Sequence, residues 1–387
     1  MKPNRRTDIA TVALFLAVLF GLSAAFVILP DRTHSDNENR DLQTFPQADI
    51  GSVLDGSFSS DINTYFADQF PIRDMFVGIK AAFELALCKG ENNGVMLGAG
   101  STLAVRDFTV YQSRLLSTPD MDRYYTETVR KQLAILNDYA LSSDIPVYAV
   151  LPPRTVDVAA ESFMYPSTVS ESLMAETAVL SEEIFVPVYD MLKDKYDSGE
   201  YVMYRTDHHW TTLGAYYAYC GIMEHIGMGD SVIPKEDFTV SATSGFYGTS
   251  WSKSGFRFVP GDTIELWYFG NEDEFTTNTG DGSFSGFYNT DWLSEKDKYS
   301  VFIDGTHSVT TVKKSGGEPR ETLLVAKDSF ADSIVPFLAQ HFDLVIVNLA
   351  GRMTDITAYA AEYSADRVLI VWNFENLITT GTIGNLK

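Results

Sequence analysis

Much of the chain alternates short apolar runs with longer amphipathic stretches. The apolar runs predict buried strands, over residues 145–151, 186–189, 201–204, 322–326, 344–347 and 367–371. The stretches with apolar residues at helical spacing predict helices, over residues 121–141, 170–181, 211–226, 331–341 and 355–363. Strands that alternate with helices form parallel sheets covered by helices, so the pattern predicts an α/β fold with a mostly parallel sheet.

Residues 229–319 depart from this alternation. They are rich in Gly, Ser, Thr, Asp and aromatic residues, with short alternating runs over 263–268 and 308–312. Alternation with a period of two is typical of half-buried strands, so we expect an antiparallel insertion. Its aromatic residues are candidates for stacking on sugar rings, and core packing is the alternative. They are Phe246, Tyr247, Trp251, Trp267 and Tyr268.

The N-terminal region begins with an apolar run. Residues 9–29 are uncharged, and about 20 such residues suffice for a membrane-spanning helix. Basic residues precede the run and acidic residues follow it, which favours a cytoplasmic N-terminus and a body on the extracytoplasmic side. We therefore expect a single-pass membrane protein with an uncleaved signal anchor. Cleavage near residues 22–25 is the alternative.

These patterns divide the chain into three predicted segments. Residues 1–30 are the cytoplasmic start and the transmembrane signal anchor. Residues 31–90 are a linker and a helical collar, because apolar residues recur at helical spacing over 54–87 with an interruption at Phe70-Pro71. Residues 91–387 are the α/β domain, with the β-rich insertion at about 229–319.

Charge and cysteine content narrow the functional classes. The formal net charge is −23 at pH 7, so the surface should repel nucleic acids and anionic lipids. Cys88 and Cys220 are the two cysteines, too few for a disulfide scaffold or a cysteine-built zinc site. We expect two buried free thiols, and a single bridge is the alternative.

The densest chemical signal is the segment 204–211, Tyr-Arg-Thr-Asp-His-His-Trp-Thr, at a predicted strand-to-helix junction. Sites form at strand ends in α/β sheets, which makes Asp207, His208 and His209 candidates for function. The alternative is that Thr206 or Asp207 only caps the following helix. We expect no metal here, because the side chains of consecutive residues should diverge.

A second segment, Ala326-Lys327-Asp328-Ser329-Phe330, follows an apolar strand and precedes a helix. Ser329 thus lies on a tight turn at the edge of the sheet, where a nucleophile would be exposed. A serine needs an imidazole to remove its proton, and the imidazole needs an acceptor to orient it. Asp207, His209 and Ser329 supply these three roles, and an ordinary N-cap is the alternative for Ser329.

Several ordered motifs together resemble the DHHW protein family, which is related to the alginate O-acetyltransferase group of SGNH-hydrolase-like proteins. They are Glu38-Asn39-Arg40, the segment 68–74, Asn92-Asn93-Gly94-Val95, Asp207-His208-His209-Trp210 and Lys327-Asp328-Ser329-Phe330. The resemblance implies an SGNH-like fold, and the chain order Asp, His, Ser implies a permuted sheet. It also implies that Asp207 orients the base His209 and that Ser329 carries an acyl group.

The resemblance further implies an O-acyltransferase that transfers acetyl or a similar group to a cell-surface or exported polysaccharide. It implies an acyl donor delivered by a membrane-bound O-acyltransferase partner, and no cofactor is expected. A carbohydrate esterase with the same triad and a non-catalytic glycan-binding component of an export complex are the alternatives. Arg352, His208 and Trp210 are candidates for substrate or oxyanion contacts. Lys327 departs from the family's usual Gly-Asp-Ser element, which leaves the oxyanion donors unassigned.

Overall fold

The chain folds into two compact units. The computed structural model describes residues 5–105, 118–164, 174–349, 355–383 and 386. Unit 1 comprises Met1–Lys89 and Gly255–Phe258, and unit 2 comprises Gly90–Ser254 and Val259–Lys387. The helices are α1 Arg5–Ile28, α2 Ile50–Leu54, α3 Ser57–Asp68, α4 Arg73–Ala86, α5 Thr118–Ser142, α6 Thr155–Val158, α7 Tyr189–Asp197, α8 Thr212–His225, α9 Thr249–Ser254, α10 Val335–Leu338, α11 Ile356–Glu362 and α12 Phe374–Thr379. The strands are β1 His34–Ser35, β2 Arg40–Asp41, β3 Glu91–Asn92, β4 Val95–Leu97, β5 Leu103–Val105, β6 Val147–Val150, β7 Phe185–Val186, β8 Thr239–Phe246, β9 Asp262–Tyr268, β10 Phe275–Asn278, β11 Ser283–Ser285, β12 Val309–Lys314, β13 Thr322–Lys327, β14 Asp343–Asn348 and β15 Arg367–Val371.

Unit 1 contains α1 to α4 and the antiparallel pair β1–β2. Within the part of the chain that the structure describes, one helical stretch is long and apolar enough to cross a membrane. It is Thr7–Ile28, and none of its side chains is buried. The predicted pair of collar helices is present as α3 and α4, and the short α2 precedes α3. Gly56 separates α2 from α3 with a φ of 84°, a conformation that glycine adopts without strain.

Unit 2 is built on an eight-stranded sheet in the order β11-β10-β12-β14-β13-β15-β6-β7. The five strands β14, β13, β15, β6 and β7 are parallel to one another. The insertion adds β12, β10 and β11 as an antiparallel extension beside β14. The predicted α/β architecture with an antiparallel-rich insertion is therefore confirmed.

The central strand β13 shows why the sheet is buried on both faces. Side chains alternate along a strand, so Leu323 and Val325 join one apolar cluster, while Leu324 and Ala326 join a second. Residues of α8 and α10 contribute to the first cluster, and residues of α5 and α12 contribute to the second. Because both faces are covered, β13 is an almost continuous apolar run, as parallel strands usually are.

Some predicted elements differ from the structure. The apolar run at 201–204 is not a strand of the sheet, because its backbone bonds to residues 209–211 in a tight loop: Tyr204 N donates to His209 O at 3.2 Å and Thr211 N donates to Val202 O at 3.0 Å. The helix predicted at 331–341 shortens to α10, preceded by a 3₁₀ turn at Ser329–Ser333. Both cysteines are free, but Cys88 is exposed rather than buried and Cys220 is half-buried.

Candidate active site

The loop that carries Asp207 and His209 is held by the insertion. Asp262, at the start of β9, is fully buried and accepts hydrogen bonds from Thr206 N at 2.7 Å and from Thr206 Oγ1 at 2.6 Å. Thr211 caps the start of α8 by accepting a hydrogen bond from Gly214 N. The loop is thus fixed at both ends, so the backbone positions of Asp207 and His209 are determined before any substrate arrives.

Asp207, His209 and Ser329 form a continuous chain of hydrogen bonds. His209 Nδ1 lies 2.6 Å from Asp207 Oδ1, and His209 Nε2 lies 2.7 Å from Ser329 Oγ. Both Asp207 and His209 are buried. Asp207 Oδ2 also accepts hydrogen bonds from Thr249 N at 2.8 Å and Thr249 Oγ1 at 3.1 Å. The three residues predicted from separate motifs therefore lie together in the order that a nucleophile, a base and an orienting carboxylate require.

The turn that presents Ser329 is pinned by its neighbour Asp328. This buried carboxylate accepts hydrogen bonds from Phe330 N at 3.0 Å, Asn373 N at 2.6 Å and Asn376 Nδ2 at 2.8 Å. Asp328 thus joins the turn after β13 to the segment after β15. Ser329 itself is not the cap of the following turn, since Asp328 occupies that position.

The imidazole of His209 is enclosed by aromatic rings. Tyr299 stacks on it with a centroid distance of 3.9 Å and an interplanar angle of 5°, and His208 lies on it at 3.9 Å and 37°. The hydroxyl of Tyr299 donates to Ser329 O at 3.2 Å and lies 3.1 Å from Ser333 Oγ. Tyr299 therefore contacts both the base and the serine turn, which limits rotation of the imidazole.

Burial and charge set the protonation of the pair. Burial alone would raise the pKa of Asp207, but the charges of His208 and His209 and the hydrogen bond from Thr249 hold it well below its usual value. Burial lowers the pKa of His209 to about 4, with the charge of His208 acting in the same direction and Asp207 opposing it. A neutral imidazole beside an ionised carboxylate is the state in which histidine accepts a proton from serine.

The lowered pKa gives an expected pH profile. Because the base must be neutral, we expect the rate of acyl-enzyme formation to rise with pH through about 4 and then to level off. The same shift destabilises the fold as the pH falls from the ordinary value of 6.5 towards about 4, since the unfolded chain takes up the proton first. Burst kinetics with an activated ester across the acidic range measure the first effect. An acid limb near 6.5 would contradict it.

An open pocket of about 240 Å³ lies at Ser329. Its lining includes His208, Thr249, Lys253, Asn376 and Glu375, so it is mostly polar. A narrower pocket continues it towards Arg154 and shares His208, Ser250, Asn373 and Glu375 with it. The two pockets form a groove that runs past the serine and the exposed edge of His208.

The other predicted site residues have different environments. His208 lines the groove, and its Nδ1 lies 2.7 Å from Thr249 Oγ1. Trp210 was a candidate for substrate or oxyanion contact, but its side chain is fully buried and its Nε1 donates to Phe330 O and Ser333 Oγ, both at 3.0 Å. Trp210 therefore supports the turn of Ser329 from inside the core, and no part of its side chain is exposed to a substrate. Arg352 lies outside the residues that the structure describes.

Of the five aromatic candidates for sugar stacking in the insertion, three pack in the core, and Tyr247 and Tyr268 are half-buried. Phe246, Trp251 and Trp267 are buried, so these three candidates for sugar stacking are excluded by their packing. Sequence reasoning missed two supporting residues. Asp262 holds the loop that carries Asp207 and His209, and Tyr299 stacks on the imidazole of His209. Neither lies in a motif, and the buried aspartate at a strand start was the available signal.

Lys327, which departs from the usual glycine, is buried and pairs with Asp332, with Nζ 2.5 Å from Oδ1. Burial raises the pKa of Asp332 to about 6 although Lys327 opposes this. The lysine thus points away from the groove and joins β13 to the turn after Ser329. Its role is structural, because its amine reaches a carboxylate inside the fold.

Lys327→Met gives a measurable test of this pair. Leaving one partner of a buried ion pair alone costs about 3–5 kcal/mol, so we expect a loss of that order in the free energy of unfolding. The double variant Lys327→Met/Asp332→Leu should recover most of it, because neither member of the pair then leaves the other as an unpaired buried charge. Urea denaturation measures both variants. Equal losses in the single and double variants would show that packing, and not the charge, sets the cost.

A group of side chains that could hold a metal includes Asp207 and His209. Among the described residues, Asp207, His208 and His209 bring ligand atoms within 4.8 Å of one another, so the predicted divergence of these side chains is wrong. The tight loop at 203–210 turns the side chains towards one point. However, Asp207 already accepts from His209 and Thr249, and the other nitrogen of His209 faces Ser329. The atoms that could bind a metal are therefore already engaged in hydrogen bonds within the site, as a triad requires.

The parallel sheet, with a serine on the turn after β13 and the aspartate and histidine on a loop before α8, defines an SGNH-hydrolase-like fold. The chain belongs to the DHHW protein family, which matches residues 38–88 and 120–348. No curated protein matches the sequence.

Several solved structures were found to be similar to this chain at low sequence identity. A DHHW family protein from Eubacterium siraeum superposes with a TM-score of 0.57 and 18% identity, over 76% of this chain and 96% of that one. PatB1 from Bacillus cereus, solved with a sulfonyl adduct, gives a TM-score of 0.55 and 21% identity over 68% and 93% of the two chains. The O-acetyltransferase domain of Pseudomonas putida AlgJ gives 0.45 and 13%, over 74% and 93%.

Proposed function

We propose that this protein is an extracytoplasmic O-acyltransferase, of acetyl or a similar group, that acts on a cell-surface or exported polysaccharide. The observation that supports this most is the hydrogen-bonded series Asp207–His209–Ser329, with 2.6 Å and 2.7 Å between its polar atoms. Ser329 opens onto a polar groove with room for a carbohydrate hydroxyl beside it. This arrangement suits acyl transfer through a covalent serine ester.

In the first half of the reaction, Ser329 Oγ attacks the carbonyl carbon of the acyl donor while His209 Nε2 takes the serine proton. The resulting imidazolium is stabilised by ionised Asp207. When the tetrahedral intermediate collapses, the bond to the donor oxygen breaks and His209 returns the proton to that oxygen. The serine then carries the acyl group, and the donor leaves as an alcohol.

In the second half, a hydroxyl of the polysaccharide takes the place of the leaving group. His209 removes its proton, the hydroxyl oxygen attacks the serine ester, and Ser329 recovers the proton when the ester bond breaks. Water in the same place would complete hydrolysis instead. A carbohydrate esterase is therefore the second candidate, and the open groove favours the transferase because a sugar needs more room than water.

We propose that His208 binds the acceptor hydroxyl. Ionised Asp207 only accepts hydrogen bonds, so the Thr249 hydroxyl donates to it and must accept from Nδ1–H of His208. The acceptor role proposed here is that of the uncharged imidazole. The proton on Nδ1 leaves a lone pair on Nε2, and the His208 ring lines both halves of the groove. Nε2 is thus available to accept a hydrogen bond from a sugar hydroxyl.

His208→Phe tests this role, because it keeps an aromatic ring against His209 and removes the acceptor nitrogen. One hydrogen bond contributes up to about 1.5 kcal/mol, so we expect the ratio of transfer to hydrolysis to fall about 10-fold while hydrolysis changes little. His208→Gln, which keeps a polar end, should retain part of the ratio. Product analysis with an oligosaccharide acceptor measures it. An equal fall in both reactions would assign His208 to support of the triad alone.

We further propose that α1 is an uncleaved single-pass anchor, with the N-terminus in the cytoplasm and unit 2 on the extracytoplasmic side. The charge asymmetry around the apolar run supports this topology. An enzyme held there would receive its acyl group from a membrane-bound O-acyltransferase partner that carries acyl groups across the membrane. The formal net charge of −23 argues against binding to nucleic acid.

The function is tested by incubating the full chain in detergent with an activated acetyl ester, with and without oligosaccharides, and following the acetyl group by mass spectrometry. Acetylated sugar that depends on Ser329 supports the transferase. Serine-dependent hydrolysis that no sugar diverts favours the esterase. A folded protein that forms no acyl-enzyme would overturn both enzymatic proposals and leave a glycan-binding component of an export complex.

A further inference from the structure

The exposed surface of α4, in unit 1, is apolar. Its side chains are 40% to 66% exposed and recur three or four residues apart, so they form one face of the helix: Met75, Phe76, Ile79, Phe83 and the C-cap Leu87. We name this set the exposed face of α4. Lys80 is exposed at its edge. A helix surrounded by water normally presents charged side chains outward, so α4 has the opposite arrangement.

The two charged residues at the start of α4, Arg73 and Asp74, are turned inward and are paired there. Arg73 Nη1 lies 2.5 Å from Glu38 Oε1, and both side chains are largely buried. Asp74 accepts hydrogen bonds from Asn37 Nδ2 at 2.9 Å and from Arg32 Nη1 at 3.3 Å. These contacts fix the rotation of α4 about its axis, so the apolar face cannot turn inward without breaking them.

The same contacts attach α4 to the end of the apolar helix. Arg32, which pairs with Asp74, is the fourth residue after the last residue of α1. Its backbone N–H donates to Gln69 Oε1 at 2.9 Å, and the Tyr65 hydroxyl donates to Asp31 at 3.0 Å. Phe26 within α1 stacks on Phe66 with centroids 5.3 Å apart. The collar is therefore packed against the point at which α1 ends.

We propose that the exposed face of α4 lies in the interface of the lipid bilayer, between the headgroups and the acyl chains. This inference rests on the proposal that α1 spans the membrane. The lipid that surrounds α1 then reaches the collar without a gap, because Phe26 is in contact with α3. The 14 residues of α4 make a helix about 21 Å long, and an interfacial helix buries its apolar face about 5–10 Å deep.

The apolar side chains, and not charge, hold α4 at this surface. The chain has a net charge of −23, and the exposed face of α4 carries no carboxylate or arginine. Attraction to anionic headgroups therefore does not contribute, and neutral phosphatidylcholine should suffice. Lys80 at the edge can extend its amine to the headgroups while its stem stays against the apolar surface.

Depth-dependent fluorescence quenching tests this placement with the full chain in phosphatidylcholine vesicles. Cys88→Ser and Cys220→Ala remove the native thiols, and Phe76→Cys, Phe83→Cys or Leu87→Cys then carries an environment-sensitive label. We expect nitroxide lipids to quench all three labels, with a shallow nitroxide more effective than one near the acyl-chain end. Quenching at Phe76 alone would mean that α4 leaves the membrane at an angle and would overturn the proposal.

A pair of variants supplies the matched control. Phe76→Glu/Ile79→Glu places charges on the exposed face of α4 and should abolish quenching of a label at residue 83. Ser59→Glu/Ser60→Glu adds the same charge at exposed positions of α3 and should leave it unchanged. Flotation of the vesicles separates the two proposals. A chain that floats with an unquenched label retains the anchor and overturns the interfacial face, whereas a chain that does not float overturns both.

Discussion

Ser329→Ala is expected to abolish acyl-enzyme formation and to lower kcat by about 10⁶-fold, the loss typical of removing a catalytic serine. The base would still be oriented by Asp207, but His209 Nε2 would face a methyl group instead of the hydroxyl that lies 2.7 Å away. Covalent labelling with a sulfonyl fluoride and intact-mass measurement checks this directly. The wild-type chain should gain one adduct and the variant none.

Ser250→Ala is the matched control, because Ser250 is buried in the lining of the same groove. It should label as the wild type does, which separates loss of the nucleophile from a general change in the groove. Thermal unfolding of both variants establishes that they are folded. Labelling of Ser329→Ala at the wild-type rate would place the nucleophile elsewhere and remove the basis of the proposed function.

Gly248→Ala is expected to have the second largest effect on turnover. A Cβ at this position would lie 2.2 Å from Asp207 Cβ and 2.3 Å from Asp207 Oδ2, so the loop or the aspartate has to move. Asp207 would then lose the hydrogen bond from Thr249 N, and a shift of about 1 Å in a catalytic group can cost about 10²-fold in rate. We expect the rate to fall by between about 10²-fold and about 10⁴-fold. The larger value is typical of a triad aspartate that no longer orients its histidine.

The measurement is the burst rate of acyl-enzyme formation across the pH range. Gly282→Ala is the control, since a Cβ there meets nothing within 4 Å and its φ is not positive. The control should react as the wild type does. If Gly248→Ala kept the wild-type rate and profile, the close approach of this loop would not be needed to hold Asp207.

The sequence predicted the scaffold well because the sheet is encoded by local periodicity. The apolar run before Ser329 indicates a strand buried on both faces, and β13 is that strand. The proximity of Asp207, His209 and Ser329 was predicted because they lie in two short motifs, one in the loop before α8 and one on the turn after β13. The run at 201–204 misled the prediction, since an apolar tetrapeptide in a loop and one in a strand look alike when both are buried.

The residues that hold the triad could not be predicted in the same way. Asp262 contacts Thr206, which is 56 residues earlier in the chain, and Tyr299 contacts His209, which is 90 residues earlier. No local sequence pattern indicates contacts over such separations. For Lys327 the sequence showed an unusual residue but not its buried partner. The helical spacing of α4 was predicted correctly, yet spacing does not tell whether an apolar face meets a core or faces outward.

The separation of the triad along the chain has a consequence for biogenesis. His209 and Ser329 are 120 residues apart, so at about 5–20 residues per second the ribosome needs roughly 6–24 s to add the serine after the histidine. β13 also lies between β14 and β15, which are synthesised later still. A nascent chain therefore contains His209 long before Ser329 is added, and under the proposed function we expect reactivity to appear only when β15 completes the sheet.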